Sequence, residues 1–129
     1  MIAITPEEID IAAMMRDAIH PKAGGMVIFV GTVRDDGMEA LDCESFDEVA
    51  LRDLEDIAEK AKKQFLLCSV DIVHRTGRLA VTEPIVVIIV TAPHREDAYS
   101  GSRFIIEKIK EYVPIWKKEI CGTTGKWIH

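Results

Sequence analysis

Two uninterrupted apolar segments constrain the fold of this chain more than any other sequence feature. Met26–Val33 and Ile85–Thr91 contain no charged side chain. A membrane-spanning helix needs about 20 apolar residues, so both segments are too short to cross a bilayer as helices. Short apolar runs bounded by turn residues are typical of buried strands. We therefore predict two strands in the protein interior. No segment resembles a signal peptide, and we expect no membrane association.

Three segments carry the patterns of helices. The clearest is Ala50–Phe65, where apolar residues recur at helical spacing on one face and charged residues cover the other. A first helix is predicted from Thr5 to Ile19, with Thr5 as its cap, Pro6 at its first position and Glu8 completing a capping box. A last helix is predicted from Arg95 to Val113 and ends before a proline.

Several shorter strands complete the predicted fold. Ala40–Phe46 and Val70–His74 have strand character, and the tail from Ile115 to His129 indicates a short strand, a glycine-rich turn at Gly122–Gly125 and an exposed end. The order is helix, strands, helix, strands, helix, with short turns between strands. That order favours an α+β fold with a mainly antiparallel sheet and about three helices. We predict one domain over residues 1–129, the size of a typical domain.

Charge and cysteine content exclude several functions. The chain has 16 Lys and Arg residues against 22 Asp and Glu residues, a formal net charge of −6. An acidic protein is a poor general binder of nucleic acid, which needs a basic face. The three cysteines, Cys43, Cys68 and Cys121, show no paired spacing. We therefore expect reduced thiols, a cytoplasmic protein and no metal site.

Two basic clusters indicate where an anion could bind. Arg34 ends the first buried strand, and a strand-end arginine can hold a carboxylate or phosphate with two hydrogen bonds. The alternative is a surface ion pair with Asp35 or Asp36. His94 and Arg95 open the last helix, where free N–H groups and the helix dipole favour an anion. His74 with Arg75 forms a similar pair that we expect at a surface or interface.

A third cluster supplies candidate groups for proton transfer. Lys110 lies on the last predicted helical turn, and Lys117 can return toward it after the turn at Pro114. Tyr112 and Trp116 add apolar bulk between them. A lysine shielded by aromatic rings and flanked by other cations has a lowered pKa, which makes its amine a usable base, acid or nucleophile. The alternative is an exposed, lysine-rich end with one core tryptophan.

Several short motifs follow one another in a specific order over most of the chain. They are Gly25–Arg34, His74–Leu79, Thr91–Tyr99, Lys110–Glu119 and Gly125–Trp127. In this order and spacing they resemble the catalytic (large) subunit family of molybdopterin synthase. The resemblance implies an α/β hammerhead fold and a homodimer that forms the core of a heterotetramer. It also implies that each end binds a small ubiquitin-like sulfur carrier whose C-terminal Gly-Gly tail is a thiocarboxylate.

The resemblance also implies a reaction and roles for particular residues. Sulfur would pass from the carrier to cyclic pyranopterin monophosphate (precursor Z) and form the molybdopterin dithiolene, without a cofactor or metal of the chain's own. By position, Lys110 and Lys117 match two catalytic pocket lysines, of which Lys110 would carry the main chemistry. Arg34, His94 and Arg95 match the anion-binding side.

The sequence departs from the family pattern at a few positions. The segment after Arg34 is short, with only Asp35–Glu39 before the next strand. Thr82 stands where the family usually has glycine. None of these departures removes a predicted pocket residue.

Two other functions compete with the sulfurtransferase. A protein of the same fold could dock a ubiquitin-like partner without catalysis, or a small domain could sense an anionic ligand. Retention of both lysines beside an anion-binding cluster favours the enzyme, because docking alone needs apolar surface more than a basic pocket.

Overall fold

The computed structural model describes residues 1–121 and 124–128. It contains three helices and eight strands within those residues. In chain order they are β1 (Ile2–Thr5), α1 (Ile11–Asp17), β2 (Gly25–Thr32), β3 (Ala40–Ser45), α2 (Asp47–Gln64), β4 (Ser69–Arg75), β5 (Gly77–Ala80), β6 (Pro84–Ala92), α3 (Arg95–Tyr112), β7 (Ile115–Cys121) and β8 (Thr124–Ile128).

The strands form two four-stranded sheets. The first has the order β1-β4-β6-β2, and the second has the order β5-β3-β7-β8. β1 pairs with β4 in parallel, whereas the other strand pairs are antiparallel. This architecture confirms the predicted α+β class with mainly antiparallel sheets. Within the described residues, no helix is long and apolar enough to cross a membrane.

The apolar segment predicted at Ile85–Thr91 forms β6, the centre of the first sheet. β6 pairs with β4 on one side and β2 on the other. Its side chains alternate between two cores: Ile88 and Val90 pack toward α2 and α3, while Val87 and Ile89 pack toward α1. Burial on both faces explains why this strand lacks polar alternation. The segment predicted at Met26–Val33 also forms a strand, β2, but the expectation that it is buried is wrong. β2 is a terminal strand of the first sheet, and its residues are half-buried or exposed.

The two long helices agree closely with their predicted bounds. α2 buries the apolar stripe that begins at Ala50 and ends at Ala61. α3 ends at Tyr112, and after Val113 and Pro114 the chain enters β7 at Ile115. The strand predicted after Pro114 is therefore confirmed. The predicted Gly122–Gly125 turn and the end at His129 include residues 122, 123 and 129, which lie outside the described residues.

The predicted start of the first helix is wrong. Ile2–Thr5 forms β1, which pairs with β4, and Ile2 and Ile4 pack on the main core. The Thr5 hydroxyl accepts a hydrogen bond from the Glu7 backbone N–H at 3.1 Å in a local turn. α1 begins only after Asp10, whose side chain caps the helix by accepting from Ala13 N–H at 3.0 Å. Pairing with β4 therefore places Thr5 in a strand, and the helix begins instead at the cap that Asp10 supplies.

Thr82 adopts a backbone conformation that suits glycine. Its φ is +78°, and it is the one non-glycine residue with positive φ in the described chain. The turn is held by hydrogen bonds from Thr82 N–H to Val33 O at 2.7 Å and from Val33 N–H to Glu83 O at 3.0 Å. These bonds join the end of β2 to the start of β6. A β-branched residue at this φ is strained.

We expect Thr82→Gly to stabilise the protein. The left-handed conformation costs an L-residue about 1–2 kcal/mol, and glycine loses about 0.5–1 kcal/mol through its unfolded-state entropy. The net gain should reach up to about 1 kcal/mol, measured by urea unfolding with an unchanged slope. Thr32→Gly, an exposed strand threonine with ordinary φ, is the matched control and should destabilise. A lower urea midpoint for Thr82→Gly than for the wild-type protein would contradict the inference that Thr82 is strained.

Candidate active site

A pocket lies where α3 ends and β7 begins. Its volume is about 410 Å³. Pro114 ends the helix and lets the chain reverse, so the last turn of α3 and the first residues of β7 face each other. The lining consists of the end of β4 and this helix–strand junction: His74, Ile109, Lys110, Glu111, Tyr112, Val113, Pro114, Ile115, Trp116 and Lys117.

The structure brings the two predicted lysines into this pocket. Lys110 lies on the last turn of α3 and is exposed, while Lys117 lies on β7 opposite Cys43 of β3 and is half-buried. Neither lysine forms an ion pair with a described residue. Burial lowers the pKa of Lys117, and the charge of Lys110 lowers it further, although Cys43 opposes this shift. The lowered pKa expected for a shielded lysine is thus found at Lys117.

The aromatic residues of the cluster lie at the pocket rim. Tyr112 and Trp116 both line the pocket and remain exposed, Trp116 at 42%. The alternative of a core tryptophan is therefore wrong. Phe46 is also exposed, and its N–H donates to Pro114 O at 3.1 Å. The backbone of Phe46 therefore contacts the helix–strand junction, and its side chain is exposed.

His74 was expected at a surface or interface, and this expectation is wrong. It is only 3% exposed and lines the pocket, and Arg75 is also buried. The His74 Nδ1 lies 2.8 Å from the backbone oxygen of Arg75. Burial lowers the pKa of His74 to about 4; the bond to Arg75 opposes the shift and the charge of Lys117 adds to it. The ring is therefore neutral at pH 7.

Arg34 lies away from any buried site in this chain. Its side chain is 84% exposed, and its Nε donates to Asp36 Oδ1 at 3.0 Å. This is the surface ion pair that the sequence left open as the alternative. Gly31, three residues earlier on β2, lies close to the neighbouring strand β6. A Cβ there would lie 2.7 Å from a methyl carbon of Val86.

His94 and Arg95 lie at the opposite end of α3 from the lysines. His94 is the N-cap residue and Arg95 the first residue of the helix. Gly24 and Gly25 pack against this turn, since a Cβ on Gly24 would lie 2.3 Å from Pro93 O. From Arg95 to Lys110 the helix advances about 22 Å at 1.5 Å per residue. A single copy of the chain therefore does not bring the predicted anion-binding pair into the lysine pocket.

Cysteine and metal chemistry have little support in the described part of the chain. Cys43 is buried beside Lys117, and burial raises the pKa of its thiol to about 11. A thiol in that state is a weak nucleophile at neutral pH. Residues 1–121 and 124–128 contain no group of three or more His, Cys, Asp or Glu side chains that could hold a metal ion.

We expect Lys117→Met to stabilise the protein at pH 7. A base whose folded pKa lies below its unfolded value of 10.5 destabilises the fold while it is charged. This cost is present in full at pH values below the folded pKa, including neutral pH. It falls as the pH rises from the folded pKa to 10.5, and it is absent at higher pH. The gain in thermal midpoint should therefore shrink toward pH 11.

Lys63→Met on the exposed face of α2 is the control for that measurement, because Lys63 lies outside the pocket. Its effect should not follow the same pH dependence. A pH-independent effect of Lys117→Met would contradict the burial cost.

Comparisons with known proteins identify the family of this chain. The family model described as "MoaE protein" matches residues 4–112. A molybdopterin synthase catalytic subunit of Halalkalibacterium halodurans is 39% identical over 98% of this chain and 83% of its own length. A crystal structure of molybdopterin synthase from Staphylococcus aureus superposes with a TM-score of 0.92 at 36% identity, covering 98% of this chain and 95% of that chain.

A more distant structure shares the fold. A complex of subunits 1 and 2 of molybdopterin-converting factor from Helicobacter pylori contains a chain that matches with a TM-score of 0.84 at 20% identity. That match covers 98% of this chain and 90% of the other. The family model and the relatives above 30% identity establish the affiliation: the chain belongs to the MoaE protein family, whose curated relatives are molybdopterin synthase catalytic subunits.

Proposed function

We propose that this chain is the catalytic subunit of a molybdopterin synthase. It transfers sulfur from the C-terminal thiocarboxylate of a small ubiquitin-like carrier to cyclic pyranopterin monophosphate, which yields the molybdopterin dithiolene. The observation that carries this proposal is the pocket at the α3–β7 junction, which both Lys110 and Lys117 line. Neither lysine forms an ion pair with a carboxylate of the described residues. Family membership supplies the reaction.

The two lysines suit a reaction in which an anionic carrier end meets an anionic substrate. Lys110, exposed at the helix end, attracts the thiocarboxylate and stabilises the negative charge that develops on its carbonyl oxygen. Lys117 has a lowered pKa, so a larger fraction of its amine is neutral and able to accept a proton. The sulfur arrives on the carrier, which is why the pocket needs no nucleophile from Cys43.

The pocket rim suits a protein partner. Tyr112 and Trp116 expose aromatic surface beside the lysines, and aromatic residues are enriched in the buried centres of protein interfaces. A flexible Gly-Gly tail has no side chains and can enter a narrow pocket while its carrier rests on this rim. The related Helicobacter pylori structure is a complex of two subunits. We propose that the carrier docks here.

The separation of Arg95 from Lys110 favours a shared site in a homodimer. A two-fold axis that places two α3 helices antiparallel brings His94 and Arg95 of one protomer to the lysine end of the other. Arg34, which follows β2, would complete the phosphate-binding side once it leaves Asp36. In this arrangement each site contains the two lysines of one protomer and the His94 and Arg95 side chains of the other.

The outer edge of β2 is suited to hold such a dimer. β2 is a terminal strand of the first sheet, and in the described chain no strand pairs with its outer edge. Its sequence, Gly25–Thr32, is apolar and uncharged, and Phe29 is exposed. An uncovered apolar edge favours association with another chain. Gly25 lies beside Arg95, so contact along β2 would bring the start of α3, with His94 and Arg95, near the other protomer.

We expect Lys110→Ala to abolish product formation and leave the fold intact. The measurement is a single-turnover assay with precursor Z and a thiocarboxylated carrier. A helix-end lysine adds less than about 1 kcal/mol to stability, so the thermal midpoint should barely change. Lys63→Ala is the matched control. If Lys110→Ala forms product at the wild-type rate, Lys110 has no part in the mechanism. If the wild-type protein binds the carrier but forms no product, the alternative of a non-catalytic docking protein is favoured.

Hybrid dimers test the shared site. Lys110→Ala and Arg95→Ala chains with different tags are co-expressed, and the mixed dimer is isolated. If each site uses both protomers, the mixed dimer has one intact site and recovers about half of the wild-type activity. If Arg95 serves its own protomer's pocket, each site carries one defect and no activity returns. A monomeric wild-type protein in light scattering would also contradict the shared site.

A further inference from the structure

One face of α3 carries three cations and no carboxylate. Its residues follow one another at steps of four, four, three and four positions, the spacing of a single helix face. They are Arg95, Tyr99, Arg103, Ile106 and Lys110. The three cations and Tyr99 are exposed, and Ile106 is half-buried. We call this set of residues the basic stripe.

Arg103 has no role in the sites described above. Arg95 and Lys110 are assigned to the two ends of the proposed shared site, whereas Arg103 lies between them on the helix. Glu107 follows Arg103 by four residues, a spacing at which ion pairs form along a helix. No ion pair joins Arg103 to Glu107 or to any other described carboxylate. The charge of Arg103 is therefore free to interact with a group from outside the chain.

The middle of α3 lies on the two-fold axis of the dimer proposed above. An axis that places Arg95 of one protomer beside Lys110 of the other passes through the point midway between these residues. That point falls between Ser102 and Arg103. Ser102 is buried within its own protomer, so the exposed side chain at the axis is that of Arg103. Each end of the stripe is about 11 Å from the axis at 1.5 Å per residue, so an anion at the axis is distinct from one at either end.

Two basic stripes that face each other need anions between them. Like charges that are brought together across an interface destabilise it. At each end, Arg95 and Lys110 would share the phosphate of the substrate. At the axis, the two Arg103 side chains have no such partner. A guanidinium group binds a phosphate-type oxyanion through two parallel hydrogen bonds, and the oxygens of one tetrahedral oxyanion can serve two guanidinium groups.

We propose that the homodimer binds one oxyanion of the phosphate class on its two-fold axis, between the two Arg103 side chains. The inference rests on the dimer of the proposed function and adds a site to it. Because this anion binds the dimer and not the single protomer, it strengthens association. Each active site of that dimer uses both protomers, so the same anion favours the assembled active sites.

Binding stoichiometry identifies a site on a symmetry axis. Equilibrium dialysis with inorganic phosphate, at an ionic strength kept constant with chloride, measures the number of anions bound per chain. An axial site adds about half an anion per chain, whereas the two end sites of the dimer add about one. We expect Arg103→Gln to bind about half a phosphate per chain less than the wild-type protein. Arg52→Gln, which removes a cation from the exposed face of α2, is the matched control and should bind as the wild type does.

The strength of the dimer tests the charge at the axis. Sedimentation velocity at constant ionic strength gives the dimer dissociation constant in chloride and in phosphate. We expect phosphate to tighten the wild-type dimer about tenfold. In chloride, Arg103→Gln should dimerise more tightly than the wild type, because the repulsion between the two arginines is removed. Its response to phosphate should also be smaller, whereas Arg52→Gln should respond as the wild type does.

Cross-linking tests the position of residue 103 without substrate or phosphate. In a Cys121→Ser background, Arg103→Cys places one thiol of each protomer at the axis, and a short bismaleimide should join the two chains. Glu111→Cys is the control, because Glu111 is exposed but lies about 13 Å from the axis along α3, too far from its own copy to be joined. Cys121→Ser alone measures the background from the native cysteines.

Several outcomes would overturn the proposal. Equal phosphate binding by the wild type and Arg103→Gln would exclude the axial anion. A weaker Arg103→Gln dimer in chloride would do the same, because it would show that Arg103 pairs with a carboxylate of the other protomer. A monomeric wild-type protein, or a dimer that Arg103→Cys does not cross-link, would exclude the arrangement of α3. If the dimer forms no product, the sulfur-transfer function fails, while the binding and cross-linking measurements still decide whether the axial site exists.

Discussion

Burial of β6 on both faces is the constraint on which the rest of the structure depends. Six consecutive residues, Ile85–Val90, are buried, and they supply side chains to both cores. Because β6 lies between β4 and β2, its position sets where those strands end. β4 then delivers His74 to the pocket, and the turn after β6 starts α3 at Arg95. The hydrophobic core therefore determines the positions of charged groups that contribute nothing to it.

The helix and strand periodicities were sufficient to predict most of this framework from sequence. α2 and α3 were predicted because apolar residues recur at helical spacing over long segments, and β2 and β6 because their apolar runs are uninterrupted. β1 was missed because a cap-like Thr-Pro-Glu-Glu sequence favours a helix locally, and only its pairing with β4, a contact far along the chain, makes it a strand. Parallel pairing of distant segments leaves no signature in a local window.

The candidate site was predictable to a similar extent. Lys110 and Lys117 were placed together because Pro114 forces a reversal between them, which is a local feature. His74 could not be assigned to the same pocket, since its approach depends on the register of β4 in the other sheet. The one sequence feature that pointed to His74 was its position at the end of an apolar strand. The conformation of Arg34 could not be predicted from the sequence either, because an exposed arginine can pair with Asp36 or with a ligand.

The two ends of α3 explain why a dimer suits this chemistry. The N-terminus carries His94 and Arg95 together with free backbone N–H groups, which favour a phosphate. The C-terminus carries Lys110, where the helix dipole favours a cation. The two ends of one rigid helix cannot come together. A shorter α3 would lose some of the apolar side chains that pack it against the core. A second copy solves the problem without altering the helix, because a two-fold axis reverses its direction. In the proposed dimer, each pocket would receive the N-terminus of one α3 helix and the lysine end of the other, and the proposed carrier would approach from the rim that the dimer leaves open.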